Sequence, residues 1–421
     1  MVKFKRFSVV VTTLLITYNT FAQETKSFET ITDAINYTGN DKNDIVKLII
    51  TGQIKGNDYS IDSEWRKFFG LGENSDGKTL FPSIETVEIL TSQDIPDAVK
   101  NQGFFFRGGG AYWLKGFSAP NVKYIGAMAF SYCEKLIKVD FPSVTSIGEY
   151  AFGGCEKLTT INIPLVKTIG DGAFWNCKNL TTVNYFPLVT TIGNRAFSDC
   201  ENLTTVDLPL VTTIGFNAFF YCKKLTTINL PVIVTIEDGA FQLCENLTKI
   251  DFPVAVNIGN YTFGYCSNLT TVNLPIVTNI GKWGFQNCNS LTSIDLPLVK
   301  TIEDSAFYDC EKLTLINLPV VENVGRRAFS GCSSLTTVSL GTNFETETEI
   351  KFGNSSVFFN VETENVDLIL GEFVLPKPDL DKNTWQTRNG TADGTPYTWK
   401  SIKVLDSIVT IKEIQSNSLW L

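Results

Sequence analysis

The chain has 421 residues, of which 35 are Lys or Arg and 44 are Asp or Glu, so its formal net charge is −9. Nucleic acids and anionic lipid surfaces require clustered positive charge, so an acidic chain of this kind is a poor candidate for binding either. The chain contains no His, which excludes Ser-His-Asp and Cys-His catalysis and every His-ligated metal site.

Residues 1–22 have the layout of a secretory signal peptide. A basic stretch, 1–6, precedes an apolar stretch, 7–17, and Thr20 and Ala22 then place small residues before a cleavage point. The apolar stretch is shorter than the roughly 20 residues that span a bilayer, and no later stretch is longer, so we expect no membrane span. No Cys lies near Ala22, so we expect no lipid anchor. The sequence therefore predicts an exported protein that is secreted, on the cell surface or in the periplasm.

Residues 23–119 are predicted to form an N-terminal cap with a degenerate first repeat. Residues 46–51 are apolar enough for a first strand, and a short helix is expected to start at residue 62. Residues 81–87 match residues 141–147, and residues 114–120 match the strand of the repeats that follow. Terminal units of a repeat array are expected to be atypical because they shield its open ends.

Residues 120–340 consist of ten units of 22 residues, with one extra residue near Phe186. Each unit begins with a Pro, from Pro120 to Pro319, and carries one Cys, from Cys133 to Cys332. Self-similarity at this period indicates a solenoid, because one such unit cannot bury its apolar side chains alone.

Within each unit, the pattern Leu-x-x-Ile-x-Leu-Pro predicts a strand whose alternate side chains point inward. Ile-Gly-x-x-Ala-Phe-x-x-Cys follows, with the three-residue spacing that returns side chains to one face of a short helical or 3-10 turn. The ten Phe of this motif are expected to stack in one buried column. The predicted fold class is an α/β solenoid of the leucine-rich repeat type, mainly β with short helical or 3-10 turns, with ten regular 22-residue coils and caps at both ends.

The array resembles the BspA-like leucine-rich repeat family of bacterial surface and secreted proteins. The motif that carries the resemblance is Leu-Thr-x-Ile-x-Leu-Pro-x-Val-x-x-Ile-Gly-x-x-Ala-Phe-x-x-Cys. Departures are local: Glu237 and Glu303 replace Gly, and Thr262 and Gly284 replace the Ala before Phe. The resemblance implies partners such as host matrix proteins, other bacterial cells or surface polymers.

Residues 341–404 are predicted to form a degenerate last repeat and a C-terminal cap, since 352–358 and 365–370 repeat the motif in worn form. Residues 405–421 have no assigned role.

The ten Cys occupy the same position in their units, and the chain has no Cys-x-x-Cys pair. A regular ladder points these side chains in parallel, so it disfavours disulfides and cannot supply the tetrahedral ligands of a zinc ion. A column of buried thiols that act as small hydrophobes and weak donors is favoured, with disulfides as the alternative.

Outward positions of the strand form two columns on the expected concave face: one is mainly Thr and begins with Lys138, and the other, the polar column, consists of Asp and Asn. Asp and Asn alternate in it so that no two neighbouring units both present Asp, which avoids stacked like charges. We predict either a solvated sheet or a binding surface for peptide strands or glycan hydroxyls, with Ca²⁺ between Asp and Asn a minor alternative. The candidate binding residues of this face are Lys138, Asp140, Asn162, Asn184, Asp207, Asn229, Asp251, Asn273, Asp295 and Asn317.

A second candidate surface, the aromatic edge, lies at variable positions beside the Phe column. Outward aromatic side chains either pack against loops or contact a partner. Tyr261 and Trp283 occupy the same position in successive units and should be neighbours. The candidate residues of this edge are Trp175, Tyr221, Tyr261, Tyr265, Trp283 and Tyr308.

These features predict a monomeric, non-enzymatic protein without a cofactor or metal that binds a protein or polysaccharide through the solenoid surface. A self-assembling structural component is one alternative. A glycoside hydrolase with two carboxylates, such as Asp207 and Asp251, is another, but its acids recur with the repeat and do not mark a unique site.

Overall fold

A computed structural model of the protein describes residues 24–28, 45–50, 86–89, 114–183, 186–340, 351–352, 357–358, 361, 365–370 and 401–404. The predicted signal peptide, the helix expected at residue 62 and the tail 405–421 lie outside these residues. Within the described ranges, no helix is long and apolar enough to cross a membrane.

The predicted solenoid is confirmed. Ten coils run from coil 1, residues 120–141, to coil 10, residues 319–340, and positions within a coil are counted here from its Pro as position 1. Every strand pair is parallel and joins one coil to the next, as expected when successive coils stack along one axis.

One strand of each coil covers positions 19–21, and its neighbours along the axis pair in register. With the flanking strands it forms four consecutive parallel sheets. Numbered in chain order, these strands are β1 (Glu24–Phe28), β2 (Ile45–Ile50), β3 (Thr86–Ile89), β4 (Gly116–Ser118), β6 (Lys138–Asp140), β8 (Thr160–Asn162), β10 (Thr182–Val183), β12 (Thr205–Asp207), β14 (Thr227–Asn229), β16 (Lys249–Asp251), β18 (Thr271–Asn273), β20 (Ser293–Asp295), β22 (Leu315–Leu318), β24 (Thr337–Leu340), β26 (Asp367–Leu370) and β27 (Ser401–Val404).

A second strand of each coil, at positions 5–6, was not predicted. These two-residue strands form an unbroken parallel sheet of eleven strands. The Pro turn between positions 1 and 4 separates the two strands and leaves the Ile of position 6 buried. The strands are β5 (Tyr124–Ile125), β7 (Ser146–Ile147), β9 (Thr168–Ile169), β11 (Thr191–Ile192), β13 (Thr213–Ile214), β15 (Thr235–Ile236), β17 (Asn257–Ile258), β19 (Asn279–Ile280), β21 (Thr301–Ile302), β23 (Asn323–Val324) and β25 (Lys351–Phe352).

The predicted match between residues 81–87 and 141–147 is wrong. It would place Val87 with Ile147 in the position 5–6 sheet, whereas Val87 pairs with Phe117, which pairs with Val139 in the first strand series. The segment 84–89 also has the Leu-x-x-Ile-x-Leu spacing. That spacing decides the register because a shift by one residue would turn the inward side chains to solvent.

The core is one continuous cluster that runs the length of the array. Each coil contributes the same kinds of side chain from positions 3, 6, 10, 11, 14, 17, 20 and 22. In coil 4 these are Val189, Ile192, Ala196, Phe197, Cys200, Leu203, Val206 and Leu208, all buried. Because no coil encloses these side chains alone, stacking is what removes them from water.

The Phe of position 11 form the predicted column. Successive ring centroids from Phe130 to Phe329 are 5.1–5.7 Å apart, and the ring planes lie within 23° of parallel. Phe358 extends the column by one more ring at 5.7 Å from Phe329. The worn repeat around residues 352–358 therefore continues the stack.

The segment from position 7 to position 14 is a chain of turns, and no helix occurs in the described coils. In coil 4, Ser198 N–H donates to Arg195 O at 3.1 Å, as a 3-10 turn requires, but Arg195 N–H donates to Phe216 O of coil 5 at 2.8 Å. Backbone donors thus alternate between their own coil and the next one. This alternation replaces the short helical turn that the spacing predicts.

Candidate functional site

The polar column is held together by side-chain hydrogen bonds between coils. Asn162 donates to Asp140 at 2.5 Å and Asn229 to Asp207 at 2.8 Å. Asn273 donates to Asp251 at 2.7 Å, and the next pair repeats the geometry with Asn317 and Asp295 at 2.9 Å. The alternation of Asp with Asn therefore has a structural role, because each Asp accepts from the Asn of the following coil.

Local charge reinforces this pairing. Hydrogen bonds from Asn273 and then from Lys249, whose Nζ lies 3.2 Å from the carboxylate, lower the pKa of Asp251 below its usual value. Lys138 is exposed at position 19, on the same strand as Asp140. Asn184 lies outside the described residues.

The Thr beside this column also bond between coils. At position 18 the Thr hydroxyl donates to the position 18 carbonyl oxygen of the preceding coil at 2.8–3.4 Å, for example from Thr226 to Thr204 and from Thr314 to Thr292. Much of the hydrogen-bonding capacity of this face is thus used within the protein. The face remains polar, but its groups are less available to a ligand than the sequence indicates.

The aromatic edge has an unusual backbone. Positions 9 and 13 adopt positive φ in all ten coils, and sixteen of these twenty residues are not Gly. The left-handed conformation turns their N–H groups toward the next coil, as for Tyr132, which donates to Gly153 O at 2.6 Å. It costs a non-Gly residue about 1–2 kcal/mol. Gly and Asn are the inexpensive occupants, and the chain uses them at Gly154, Gly172, Asn176, Asn217, Gly239, Asn287 and Gly331.

Six of the twenty left-handed positions instead hold aromatic residues, which tolerate this conformation poorly. Tyr132, Tyr261 and Tyr265 are at least 40% exposed. The six residues are Tyr132, Tyr150, Tyr221, Tyr261, Tyr265 and Trp283. Four of the six edge residues predicted from the sequence, Tyr221, Tyr261, Tyr265 and Trp283, thus lie at sites of local strain.

Coils 1–3 bring three aromatic residues together. Trp175 lies 6.3 Å from Tyr132 and 6.3 Å from Tyr150 between ring centroids, at 78° and 80°. Its Nε1–H donates to Asp199 Oδ2 at 3.0 Å, which fixes the indole. Sequence analysis named only Trp175 of these three as a site residue. Tyr132 and Tyr150 lie at positions 13 and 9 of their coils, which are not aligned with position 12 of Trp175 along the repeat.

Coils 7–9 hold a second group of aromatic residues. Tyr261 and Trp283 stack at 6.3 Å and 8° from parallel, which confirms that they are neighbours, and Tyr308 packs edge-on against Trp283 at 5.5 Å. Between the two groups, Tyr221 lies beside Phe220 and beneath the Lys223 ammonium, 4.3 Å from its ring centroid. The structure therefore places Trp175 in one cluster and Tyr261, Trp283 and Tyr308 in another, with Tyr221 between them. Tyr265 lies 41% exposed on coil 7.

The cysteines form the predicted column of buried thiols. All ten are free, and each from Cys155 onward donates its thiol to the carbonyl oxygen of a Phe in the preceding coil at 3.0–3.3 Å. Burial raises the pKa of every thiol, that of Cys310 to about 12. Protonated, inaccessible thiols do not act as nucleophiles or metal ligands.

The repeat matches the family described as "BspA type Leucine rich repeat region (6 copies)" over residues 113–226, 190–297 and 256–369. Together these ranges span 257 of 421 residues, more than half of the chain. The chain belongs to the BspA-type leucine-rich repeat family. A search of curated proteins finds no match.

The chain is also similar to solved structures of bacterial leucine-rich repeat proteins. A leucine-rich repeat protein from Bacteroides ovatus is 25% identical, with a TM-score of 0.53, over 73% of this chain and 84% of that one. A T. pallidum leucine-rich repeat protein is 31% identical over 37% of this chain and 78% of that one, with a TM-score of 0.34. A leucine-rich cell surface protein from Faecalibacterium prausnitzii is 25% identical over 64% of this chain and 86% of that one, with a TM-score of 0.34.

The BspA-type array also carries an apolar ridge that sequence analysis missed. Position 2, directly after each Pro, is apolar in eight successive coils, and most of these side chains are exposed. The signal was present as Pro-Leu, Pro-Val and Pro-Ile at the start of every coil from the third onward. The ridge consists of Leu165, Leu188, Leu210, Val232, Val254, Ile276, Leu298 and Val320.

Proposed function

We propose that this BspA-type protein is an exported, non-enzymatic binding protein that engages a surface protein or polysaccharide through the aromatic edge. One observation carries the proposal: aromatic side chains gather in clusters beside the Phe column, and three of those on this edge, Tyr132, Tyr261 and Tyr265, are at least 40% exposed. Grouped, exposed aromatic side chains on a protein surface are typical of contact sites.

Export is supported by the signal-like segment 1–22 and by membership of a family to which bacterial surface and secreted proteins belong. A non-enzymatic role is supported by the acids themselves. Asp207 and Asp251 each accept a hydrogen bond from an Asn in the next coil, and Asp238 accepts from Asn260 N at 2.7 Å. Because they serve the repeat, these carboxylates do not form the matched pair that glycoside hydrolysis needs.

An array of glycans and matrix proteins probed with residues 23–421 tests this proposal. The edge variant combines Trp175→Ala, Tyr221→Asn and Trp283→Asn, where Asn preserves the two left-handed positions. The matched control combines Asp207→Asn, Asp251→Asn and Asp295→Asn on the polar column. The fold accommodates Asn–Asn pairs, because Asn279 donates to Asn257 at 2.9 Å.

We expect the edge variant to weaken binding to each array hit about tenfold or more, as loss of buried aromatic contacts does at interfaces. The control should bind as the unmodified chain does. Loss of binding in the control with full binding by the edge variant would move the site to the polar column.

A second candidate function, a self-assembling surface component, is favoured by the apolar ridge. Its exposed side chains form a line along eight coils, and contiguous apolar surface of this kind marks contact sites. A second copy in antiparallel orientation about the boundary between coils 6 and 7 would set ridge against ridge and place Lys167 opposite Glu322 of the other copy. Light scattering at two concentrations tests this. A mass that doubles, and returns to one chain in a Leu210→Ser, Val232→Ser, Val254→Ser variant, supports the assembly over the predicted monomer.

A further inference from the structure

Tyr132 and Tyr150 lie flat on the neighbouring coils because Gly residues lie beneath them. A Cβ built on Gly154 would lie 2.6–3.1 Å from three consecutive ring atoms of Tyr132, and one built on Gly172 would collide with three consecutive ring atoms of Tyr150. Near-equal distances to three ring atoms place each Gly against the face of the ring and not against its edge. The opposite face of each ring therefore points away from the coil that carries the Gly.

Trp175 stands between these two rings and nearly perpendicular to both. Its orientation is fixed by Asp199, which accepts from Trp175 Nε1 and also from Ser198 Oγ at 2.8 Å. Two flat aromatic faces and one upright indole thus form a shallow cradle on coils 1–3. Because the cradle is preformed, its side chains would lose little conformational entropy when a ligand binds.

Polar groups border the cradle on the side of position 13. Asn176 donates to Glu156 Oε1 at 3.3 Å, and Lys178 Nζ lies 2.7 Å from the same oxygen. Both side chains of this ion pair are about 40% exposed. Amide, carboxylate and ammonium groups in one rim can donate to and accept from hydroxyl groups.

We propose that the Tyr132–Tyr150–Trp175 cradle binds the pyranose rings of a polysaccharide. This deepens the proposed function by naming its ligand class. The C–H groups on one face of a pyranose carry partial positive charge and pack on the electron-rich faces of aromatic rings. Its hydroxyl groups meet the polar rim, in the combination of apolar surface and few polar groups typical of ligand sites. A quaternary ammonium ion is the other ligand that aromatic clusters bind, so the test includes displacement by choline.

Affinity electrophoresis in gels that contain xylan, mannan, hydroxyethylcellulose, laminarin, glycol chitin or starch tests the proposal on residues 23–421. We expect at least one polysaccharide to retard the protein. The informative variant is Gly172→Ala, which displaces the Tyr150 ring, and its matched control is Gly239→Ala. Gly239 occupies the same position 9, also has positive φ, and its Cβ would collide with Asn217 instead of an aromatic ring.

Both Gly variants should lower the melting temperature similarly, but only Gly172→Ala should weaken retardation, by about tenfold. Tyr150→Gly, which keeps the left-handed backbone, should weaken retardation equally. This second variant tests the ring of Tyr150 if Gly172→Ala does not fold. No retardation by any of the six polymers, equal retardation of the two Gly variants, or displacement by choline would each overturn the proposal. If the cradle fails in electrophoresis but a protein on the array of glycans and matrix proteins binds through Tyr221 and Trp283, the proposed function stands and only the polysaccharide cradle is refuted.

Discussion

Replacement of one ring in the Phe column tests the packing that holds every surface in place. Phe219 is fully buried and stacks on Phe197 at 5.2 Å and on Phe241 at 5.4 Å. Phe219→Ala should lower the free energy of unfolding by about 3–5 kcal/mol, the usual cost of a buried Phe→Ala cavity. The two lost ring contacts account for about 0.5–1.5 kcal/mol each.

The same coil supplies a matched control. Phe216 is exposed, and its ring centroid lies 5.6 Å from Cζ of the Arg195 guanidinium. Phe216→Ala should therefore cost less than about 1 kcal/mol. Urea unfolding followed by circular dichroism measures both free energies.

The shape of the transition is also informative. Because each coil contacts only its neighbours, weakening coil 5 should loosen the coupling between the coils on either side and broaden or split the transition. If Phe219→Ala lowers the free energy of unfolding by no more than about 1 kcal/mol beyond the effect of Phe216→Ala, the Phe column does not stabilise the fold as argued.

Three further predictions concern the thiols, the polar column and the aromatic edge. The pKa of each buried thiol is raised above its unfolded value of 9.0, so the unfolded chain loses thiol protons first as pH rises. The free energy of unfolding should therefore not depend on the thiols below pH 9 and should fall steeply above it. Urea titrations from pH 7 to 10.5 measure this dependence, and a flat profile would contradict the burial. Asn273→Asp should place two carboxylates together and cost about 0.2–1 kcal/mol at low salt, less at high salt or low pH, and salt-independent melting would argue against the pairing with Asp251. Tyr265→Gly should leave thermal stability unchanged or raise it by about 1 kcal/mol while it weakens binding to any array hit, and a large loss of stability would make the ring structural.

The repeat made most of the fold predictable. Its period implies stacking, and the positions of Phe, Cys and Ile identify the core, because side chains at equivalent positions meet their own kind in the next coil. The degenerate flank was harder. The Phe-Pro dipeptide of residues 81–82 suggested that residues 81–87 align with residues 141–147. The spacing of the inward side chains, which instead aligns Val87 with Phe117, was a less conspicuous signal.

Features that depend on backbone conformation were not predictable from the pattern. The alternating donors of positions 7–14 and the left-handed residues at positions 9 and 13 leave a weak sequence signal, namely Gly and Asn in some coils, which aromatic residues obscure in others. The cradle also escaped detection, because Tyr132, Tyr150 and Trp175 sit at positions 13, 9 and 12 of three different coils. Only the three-dimensional arrangement shows that Gly154 and Gly172 make room for two of its rings.

The side-chain hydrogen bonds of the column and of the thiols join residues 22 to 26 apart in the chain, one coil to its neighbour. A deletion or duplication of one whole 22-residue unit would therefore join equivalent core positions at the new junction, so the buried columns of Phe and Cys would continue across it. Copy number can thus vary without redesign of the interior. The distance between the Trp175 cluster and the Trp283 cluster is set by how many units separate them, so unequal recombination alone would change the spacing within the proposed binding surface.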